Sequence, residues 1–236
     1  MIDIHHHLIH GVDDGAQTFE QTQAMICSCV ENGIYGVITT PHAVPGQVFF
    51  DIPRYSEHFR MAQEWIREKK LKIALYPGAE IFYTSDTLRM LDAGRIPTLN
   101  NTRYVLLEFG LKVSFETLLS VAEELTEADY KPVFAHVERY SCLNSSGHIR
   151  KLREQYGVLM QMNANTVLHT GSIWRQLKIK RLLQKGLIDV VASDAHNLHS
   201  RPCRMAQAYQ KLSELCGTEA AQNLFVENPE HILEAP

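Results

Sequence analysis

The sequence predicts an α/β fold in which one parallel sheet rolls into a closed or nearly closed (β/α) barrel. Three observations predict it. Seven short apolar runs alternate with longer segments of helical period. Several runs are apolar almost throughout, as strands buried on both faces are. Almost every run ends in a metal-binding side chain, and only a closed sheet gathers all those ends at one mouth.

The chain has 236 residues, of which 45% are hydrophobic, enough for a sizeable core. No linker, low-complexity stretch or repeat divides it, so residues 1–236 read as a single domain. The net charge of -4 offers no basic excess for phosphate backbones, which argues against a nucleic-acid partner. The five cysteines are odd in number and hold no Cys-x-x-Cys pair, which suits reduced thiols in a cytoplasmic protein. The start Met-Ile-Asp-Ile lacks the pattern of a secretory signal. No apolar run approaches the ~20 residues that span a bilayer, so membrane insertion is not expected.

In chain order, the strand runs are "MIDI" (1–4), "GVITT" (36–40), "KIALYPG" (72–78), "YVLLEF" (104–109), "KPVFAH" (131–136), "GVLMQM" (157–162) and "IDVVAS" (188–193). After the first, Thr18 and Gln21 form a capping box, and Met25, Ile26, Cys29 and Val30 keep helical spacing up to a stop at Gly33. Ser114 caps a helix with Leu118, Leu119, Ala122 and Leu125 on one face. A third helix starts near Ile173, turns Trp174, Leu177 and Leu182 inward and stops at Gly186. A fourth carries Met205, Tyr209, Leu212 and Leu215 up to Gly217.

The strand ends carry the chemistry. The first run ends in His5 and His7, the second in His42, the third in Glu80, the fourth in Glu108, the fifth in His136, and the seventh in Asp194 and His196. The sixth ends in the milder Asn163 and Asn165. Each alone has a bland reading: a hydrogen-bonded structural histidine, an edge charge, or in Asp194 a helix cap. The coincidence at every strand favours a shared site. Period-two alternation puts His5 and His7 on one side of their strand and His6 on the other. The following "GVDDG" is a Gly/Asp turn that makes Asp13 or Asp14 a further ligand candidate.

The donors are imidazoles and carboxylates, with no cysteine at a strand end, which excludes a Cys-rich zinc site there. The set suits Mn²⁺, Fe²⁺ or catalytic Zn²⁺, and it is too large for one ion. Two or three ions lower the pKa of a bridging water, so that hydroxide exists near neutral pH, and they clamp the oxygens of an in-line displacement. Phosphoester hydrolysis is the reaction such a site serves. It needs cationic partners for the phosphate oxygens, and Arg139 and Arg201 follow His136 and His196 closely. No Cys-x₅-Arg motif is present, so a cysteine-nucleophile phosphatase is excluded.

The ordered set "DIHHHLIHGVDDGA", "TPH", "GAEIFY", "TLNNTRYVLLEF", "AHVERY", "QMNANTVLHTG" and "ASDAHN…RP" resembles the PHP (polymerase and histidinol phosphatase) superfamily. Within it, the match is to the metal-dependent tyrosine-protein phosphatases of bacterial capsule and exopolysaccharide operons. The resemblance implies a distorted, TIM-like (β/α)₇ barrel holding three divalent ions, usually Mn²⁺, with Fe²⁺, Zn²⁺ or Co²⁺ as substitutes. It assigns one ion to His5, His7, Glu80 and Asp194. A second shares Glu80 and adds Glu108 and His136. The third takes Asp14, His42 and His196. It gives Arg139 and Arg201 to the substrate phosphate, and it implies phosphotyrosine substrates, typically in the tail of a partner tyrosine kinase. The sequence departs from the usual pattern at His6, His10, Ala43, Val137 and Cys203, none of them an expected ligand.

The expected function is therefore a metal-dependent protein-tyrosine phosphatase acting through a metal-bridging hydroxide. Two alternatives stand beside it. One is a phosphoesterase for a small phosphomonoester such as histidinol phosphate; the other is a metal-loaded regulatory protein with little catalysis. Homo-oligomerisation is compatible with any of them.

Overall fold

The computed structural model describes residues 1–46, 50–168 and 172–234, without the side chains of 174 and 175. Trp174, expected to face inward, therefore lies outside the described residues, as does the "HTG" that ends the sixth motif.

The strands are β1 (Ile2–His6), β2 (Gly36–Thr39), β3 (His42–Ala43), β4 (Ala74–Pro77), β5 (Glu80–Phe82), β6 (Tyr104–Glu108), β7 (Lys131–Phe134), β8 (Leu159–Asn163) and β9 (Val190–Ala192). They form two sheets of order β1-β2-β4 and β3-β5-β6-β7-β8-β9, with every pairing parallel. Two of the seven expected strands are broken in mid-course. β2 and β3 are halves of the second, interrupted at Thr40–Pro41, where proline has no N–H for the ladder. β4 and β5 are halves of the third, interrupted at Gly78–Ala79. A Cβ at Gly78 would come within 2.7 Å of Ile38 Cγ2, so the backbones close there only around glycine.

The ring closes between β1 and the end of β9. His7 N donates to Ala195 O (2.9 Å) and Asp194 N donates to His5 O (2.9 Å). The Asp3 carboxylate adds a side-chain stitch, with Oδ1 accepting from Ser193 N at 2.9 Å. Seven strand positions thus run in chain order around one barrel, as the apolar runs predict.

Helices cover the outside: α1 (Phe19–Glu31), α2 (Ile52–Lys69), α3 (Thr87–Asp92), α4 (Phe115–Glu127), α5 (Ser146–Tyr156), α6 (Ala164–Leu168), α7 (Ile173–Gln184), α8 (Met205–Cys216), α9 (Thr218–Gln222) and α10 (Asn228–Glu234). Thr18 caps α1 by accepting from Gln21 N, but the Gln21 side chain accepts from Gln17 N at 2.7 Å rather than closing the box on Thr18. Ser114 caps α4 as expected, and Leu118, Val121, Ala122 and Leu125 are buried beneath it. In α7 the inward residues are Ile179, Leu182 and Leu183; Leu177 is 54% exposed, contrary to the sequence reading. Leu182 faces inward as expected. α2 and α5 carry strongly charged faces, which is why no helical stripe marks them in the sequence, yet Tyr55, Ala62 and Ile66 of α2 reach the core.

The core divides in two. A large cluster packs helices against the outer face of the strands. A smaller one, with Ile2, Ile4, Ile38, Leu106, Val133 and Val190, fills the barrel interior and is joined by Ile232 of α10. This dry interior forms the floor beneath the mouth.

β1 refines the alternation argument. Strict period two would send Ile2, Ile4 and His6 to one side. Ile2 and Ile4 fill the barrel interior, whereas His6 packs outward, 3.4 Å from Cys29 Sγ of α1. The register against β2 slips between Asp3 and His6. That irregularity lets the strand bury Ile4 in the floor and still turn His5 and His7 into the mouth.

Candidate metal centre

Each expected site residue sits at the same end of the barrel. His5 lies near the end of β1 and His7 just beyond it, Asp13 and Asp14 lie in the next turn, His42 begins β3, Glu80 begins β5 and Glu108 ends β6. His136 follows β7, and a 3₁₀ turn at Val137–Arg139 brings Arg139 back over the mouth. Asp194 and His196 follow β9. His136 (φ 36°) and Asp194 (φ 53°) both occupy the left-handed region, a strained choice for residues with a Cβ. Backbone held this way at a strand end is characteristic of functional sites.

Glu80 is the hub. It is 1% exposed, and its carboxylate meets four imidazoles: His42 Nδ1 at 2.9 Å, His136 Nε2 at 2.9 Å, His5 Nε2 at 3.2 Å and His7 Nε2 at 3.4 Å. Burial would raise its pKa, but the His5 charge and the hydrogen bonds from these histidines hold it well below the usual carboxylate range. Asp194 Oδ1 lies 3.5 Å from His5 Nε2 and 3.6 Å from His7 Nε2. Glu108 Oε1 lies 3.5 Å from His136 Nε2. On the outer side, Asp14 Oδ1 is 3.3 Å from His42 Nε2 and 3.2 Å from His196 Nε2.

The imidazoles are aimed from behind. His7 Nδ1 donates to Asp13 Oδ2 at 2.6 Å, and His5 Nδ1 to Gln161 Oε1 at 3.3 Å. His136 Nδ1 is 3.4 Å from the Tyr140 hydroxyl, and His196 Nδ1 is 3.2 Å from Asp194 O. Metal-ligating histidines are held in this way, with one nitrogen fixed by an acceptor and the other turned to the ion. A polar relay links the set: Gln161 Nε2 donates to Asn163 Oδ1 (2.8 Å), and Asn163 Nδ2 donates to Asp194 Oδ2 (2.6 Å).

The donor atoms fit divalent cations. His5 Nε2, His7 Nε2, His196 Nε2 and Glu80 Oε2 are buried and face oppositely charged partners at 2.9–3.6 Å without an aligned hydrogen bond, an arrangement that a shared cation would complete. Sets of donors within 4.8 Å of one another occur at His5, His7 and Glu80, at His42, Glu80 and Glu108, and at His7, Asp14, His42 and His196. Burial disfavours charge on His7, yet Asp13 and Glu80 push its pKa up to about 10, so the pocket around it draws positive charge. Burial and the nearby charges of His7 and Arg201 bring His196 down to about 4, leaving its ring neutral and free to donate a lone pair.

The two arginines converge on one carboxylate. Arg139 Nη2 donates to Asp194 Oδ2 at 2.9 Å and Arg201 Nη2 to Asp194 Oδ1 at 2.7 Å. Both side chains keep more than a third of their surface exposed toward the mouth. Asp194 therefore sits between imidazoles below and guanidiniums above.

The sequence reading missed some of this apparatus. Gln161 was counted only as part of a strand run; a lone amide within "GVLMQM" was the available signal. Tyr140, fully buried behind His136, carried no signal beyond its place in "AHVERY". Asn165 falls in α6 rather than at the strand end. Asp13 and Asp14, left open by the turn itself, divide their roles: Asp13 holds His7, and Asp14 faces His42 and His196. Gly15 makes this turn compatible with β1, because a Cβ there would overlap the His7 carbonyl and lie 2.6 Å from its Cβ.

Comparison with known proteins shows the family and the fold. The family model described as "Capsular polysaccharide synthesis, CpsB/CapC" matches residues 1–234. The chain is 34% identical over 239 residues to the tyrosine-protein phosphatase CpsB of Streptococcus pneumoniae, covering 99% of this chain and 98% of that one. It is 29% identical to the tyrosine-protein phosphatase YwqE of Bacillus subtilis (strain 168), covering 99% and 91%. Among solved structures, YwqE and CpsB, described as unique metal-dependent tyrosine phosphatases, match with a TM-score of 0.89 at 27% identity, over 99% of this chain and 94% of that one. The histidinol phosphate phosphatase of Lactococcus lactis, solved with zinc, L-histidinol and phosphate, matches at a TM-score of 0.59 and 15% identity, over 95% and 94%, a likeness of fold.

Proposed function

The chain belongs to the CpsB/CapC family of capsular polysaccharide synthesis, and on that premise we propose that it is a metal-dependent protein-tyrosine phosphatase whose catalytic unit is the whole chain, residues 1–236. The observation that carries the reading is the meeting of Arg139 and Arg201 on Asp194, at the lip of a pocket of buried, converging imidazole and carboxylate donors. Guanidinium pairs suit a phosphoryl group, and the donors suit divalent ions.

We assign His5, His7, Glu80 and Asp194 to one ion, Glu80, Glu108 and His136 to a second, and Asp14, His42 and His196 to a third. Manganese is the proposed occupant, and Fe²⁺, Zn²⁺ or Co²⁺ would be accepted by the same donors. When bound, the ions supply Lewis acidity and an activated water at neutral pH.

The protein's own groups do the rest. Asp13, Gln161 and Tyr140 fix the ring orientations, so the donors need no reorganisation. Arg139 and Arg201 hold the equatorial phosphate oxygens through the N–H groups not engaged by Asp194. Asp194 in turn keeps the two guanidiniums apart and aimed at one point. The described side chains place no thiol in the mouth, so no phosphoenzyme through cysteine forms there. The barrel floor is apolar and closed, which confines the reaction to the open end.

The substrate is a phosphotyrosine in a protein chain, with a bacterial tyrosine kinase of the same operon class as the partner. Such a substrate would place the protein in the cytoplasm. Among the described residues, no helix is long and apolar enough to cross a membrane. The test is phosphate release from a phosphotyrosine peptide, with and without a chelator, beside histidinol phosphate and a nucleotide. Chelator-sensitive release that favours the peptide is expected. Faster turnover of a small metabolite would reverse the substrate assignment, and chelator-resistant turnover would overturn the mechanism.

A further inference from the structure

We propose that His6, Cys29 and Cys203 form a second metal site, outside the barrel wall, that takes a zinc ion. Their donor atoms lie within 4.8 Å of one another, and the residues are 0%, 0% and 7% exposed. The three come from separate elements: β1, α1 and the loop before α8. His6 Nε2 is 3.4 Å from Cys29 Sγ. Zinc–sulfur and zinc–nitrogen bonds of about 2.3 and 2.1 Å place two donors of one ion roughly 3.5–4 Å apart, so the cluster is already near the required size.

His6 Nδ1 and Asp3 Oδ2, on the same strand, are buried with no hydrogen-bond partner, so no competing contact ties up either atom. Asp3 uses only its other oxygen, which accepts from Ser193 N and His5 N. Two thiols and an imidazole meet there. A divalent ion with two thiolates and one neutral imidazole is net neutral, the state that a closed apolar pocket favours.

The donor chemistry differs from that of the mouth. There the set is imidazole and carboxylate; here it is imidazole and thiolate, which favours a thiophilic ion over manganese. His6 and Cys203 are also two of the positions where the sequence departs from its family's usual pattern, and they meet at one point. The ion would tie α1 and the loop that carries Arg201 to the back of the strand that carries His5 and His7.

The test uses cobalt(II) as the probe. The full-length protein, stripped of metal and kept reduced, is titrated with Co²⁺ while bound cobalt is counted. A thiolate-to-cobalt charge-transfer band in the near ultraviolet is expected, since the mouth's assigned donors include no sulfur. The band should vanish in Cys29→Ser, Cys203→Ser and His6→Ser. Native metal content should fall by about one zinc per chain in each, with the mouth still binding cobalt. His6→Ser keeps both thiols and serves as the variant if a cysteine change prevents folding, which circular dichroism reports. A mouth filled with cobalt and no charge-transfer band would overturn the proposal. So would a band that survives all three substitutions. Loss of phosphatase activity with the band intact would count against the mouth assignment alone.

Discussion

Asp13 Oδ2 accepts a hydrogen bond from His7 Nδ1 at 2.6 Å, and this contact decides which edge of the imidazole serves the mouth. With Nδ1 tied to Asp13, Nε2 is the nitrogen turned to Glu80 and the mouth, where a bound ion would replace its proton. The same aspartate accepts from Gly15 N and His42 N, so it also fixes the turn and the start of β3. Asp14, one residue on, is two-thirds exposed and faces His42 and His196 instead. Adjacent residues of one type thus do different work: one holds a ligand, the other is a candidate ligand.

Asp13→Ala should weaken metal binding at the mouth by about 10–100-fold, the usual cost of losing such a supporting carboxylate. Excess Mn²⁺ should restore activity to this variant, because the donors themselves remain. Metal titration of both proteins checks it. An affinity equal to the parent's would mean that the turn, not the hydrogen bond, orients His7.

Arg139→Ala should lower turnover of an aryl phosphate by about 10²–10³-fold, the scale for removing one preorganised donor to developing charge. Metal content should stay near the parent value, since Arg139 touches the site only through Asp194 Oδ2. Arg201→Ala should behave similarly. The double variant should lose less than the product of the two, because both side chains share one carboxylate. Steady-state kinetics with metal analysis of the same samples tests this; full activity in Arg139→Ala would remove its role.

Metal should stabilise the fold. Glu80 and Asp194 are buried carboxylates surrounded by imidazoles, and ions that bind only the native state add stability by mass action. At free Mn²⁺ about 100 times Kd the gain is about 2.7 kcal/mol. For a chain of this size that is roughly 5–10 °C in Tm. Thermal melts with Mn²⁺ and with a chelator give the comparison, and Glu80→Gln should abolish most of the difference. A chelator-insensitive Tm in the parent would show that these donors hold no ion.

Much of the fold was legible because a parallel barrel writes itself twice into a sequence, as apolar strand runs and as polar residues at their ends. "YVLLEF" became β6 with Glu108 at its tip, and "KPVFAH" became β7 followed by His136. Other features depend on three-dimensional detail. The register slip in β1 is invisible in "MIDIHHH", since period two alone sends Ile4 and His6 to the same side. The break at Gly78–Ala79 arises from close approach between neighbouring strands, whereas the break at Thr40–Pro41 follows from a proline that "TPH" already shows. α2 escaped notice because its 18 residues bury only Tyr55, Ala62 and Ile66 among charges. The groups that orient the ligands come from distant parts of the chain, as Gln161 does for His5, and no spacing rule connects them.

Tyr140 offers a test of that hidden support. Its ring is fully buried, and its hydroxyl accepts from Phe109 N at 3.0 Å and lies 3.4 Å from His136 Nδ1. Burial pushes the phenol well above its ordinary pKa, so it stays neutral through the working range. Tyr140→Phe keeps the ring and its edge-on contacts with Phe109, but it leaves the Phe109 N–H buried without an acceptor. That should cost about 1–3 kcal/mol, which corresponds to a Tm drop of about 3–10 °C. His136 would lose its rear partner at the same time, so metal held with Glu80 and Glu108 should bind more weakly. A melt shows the first effect and a metal titration the second. An unchanged Tm would mean that water replaces the hydroxyl, and an unchanged affinity would mean that the left-handed backbone at His136 suffices to aim the ring.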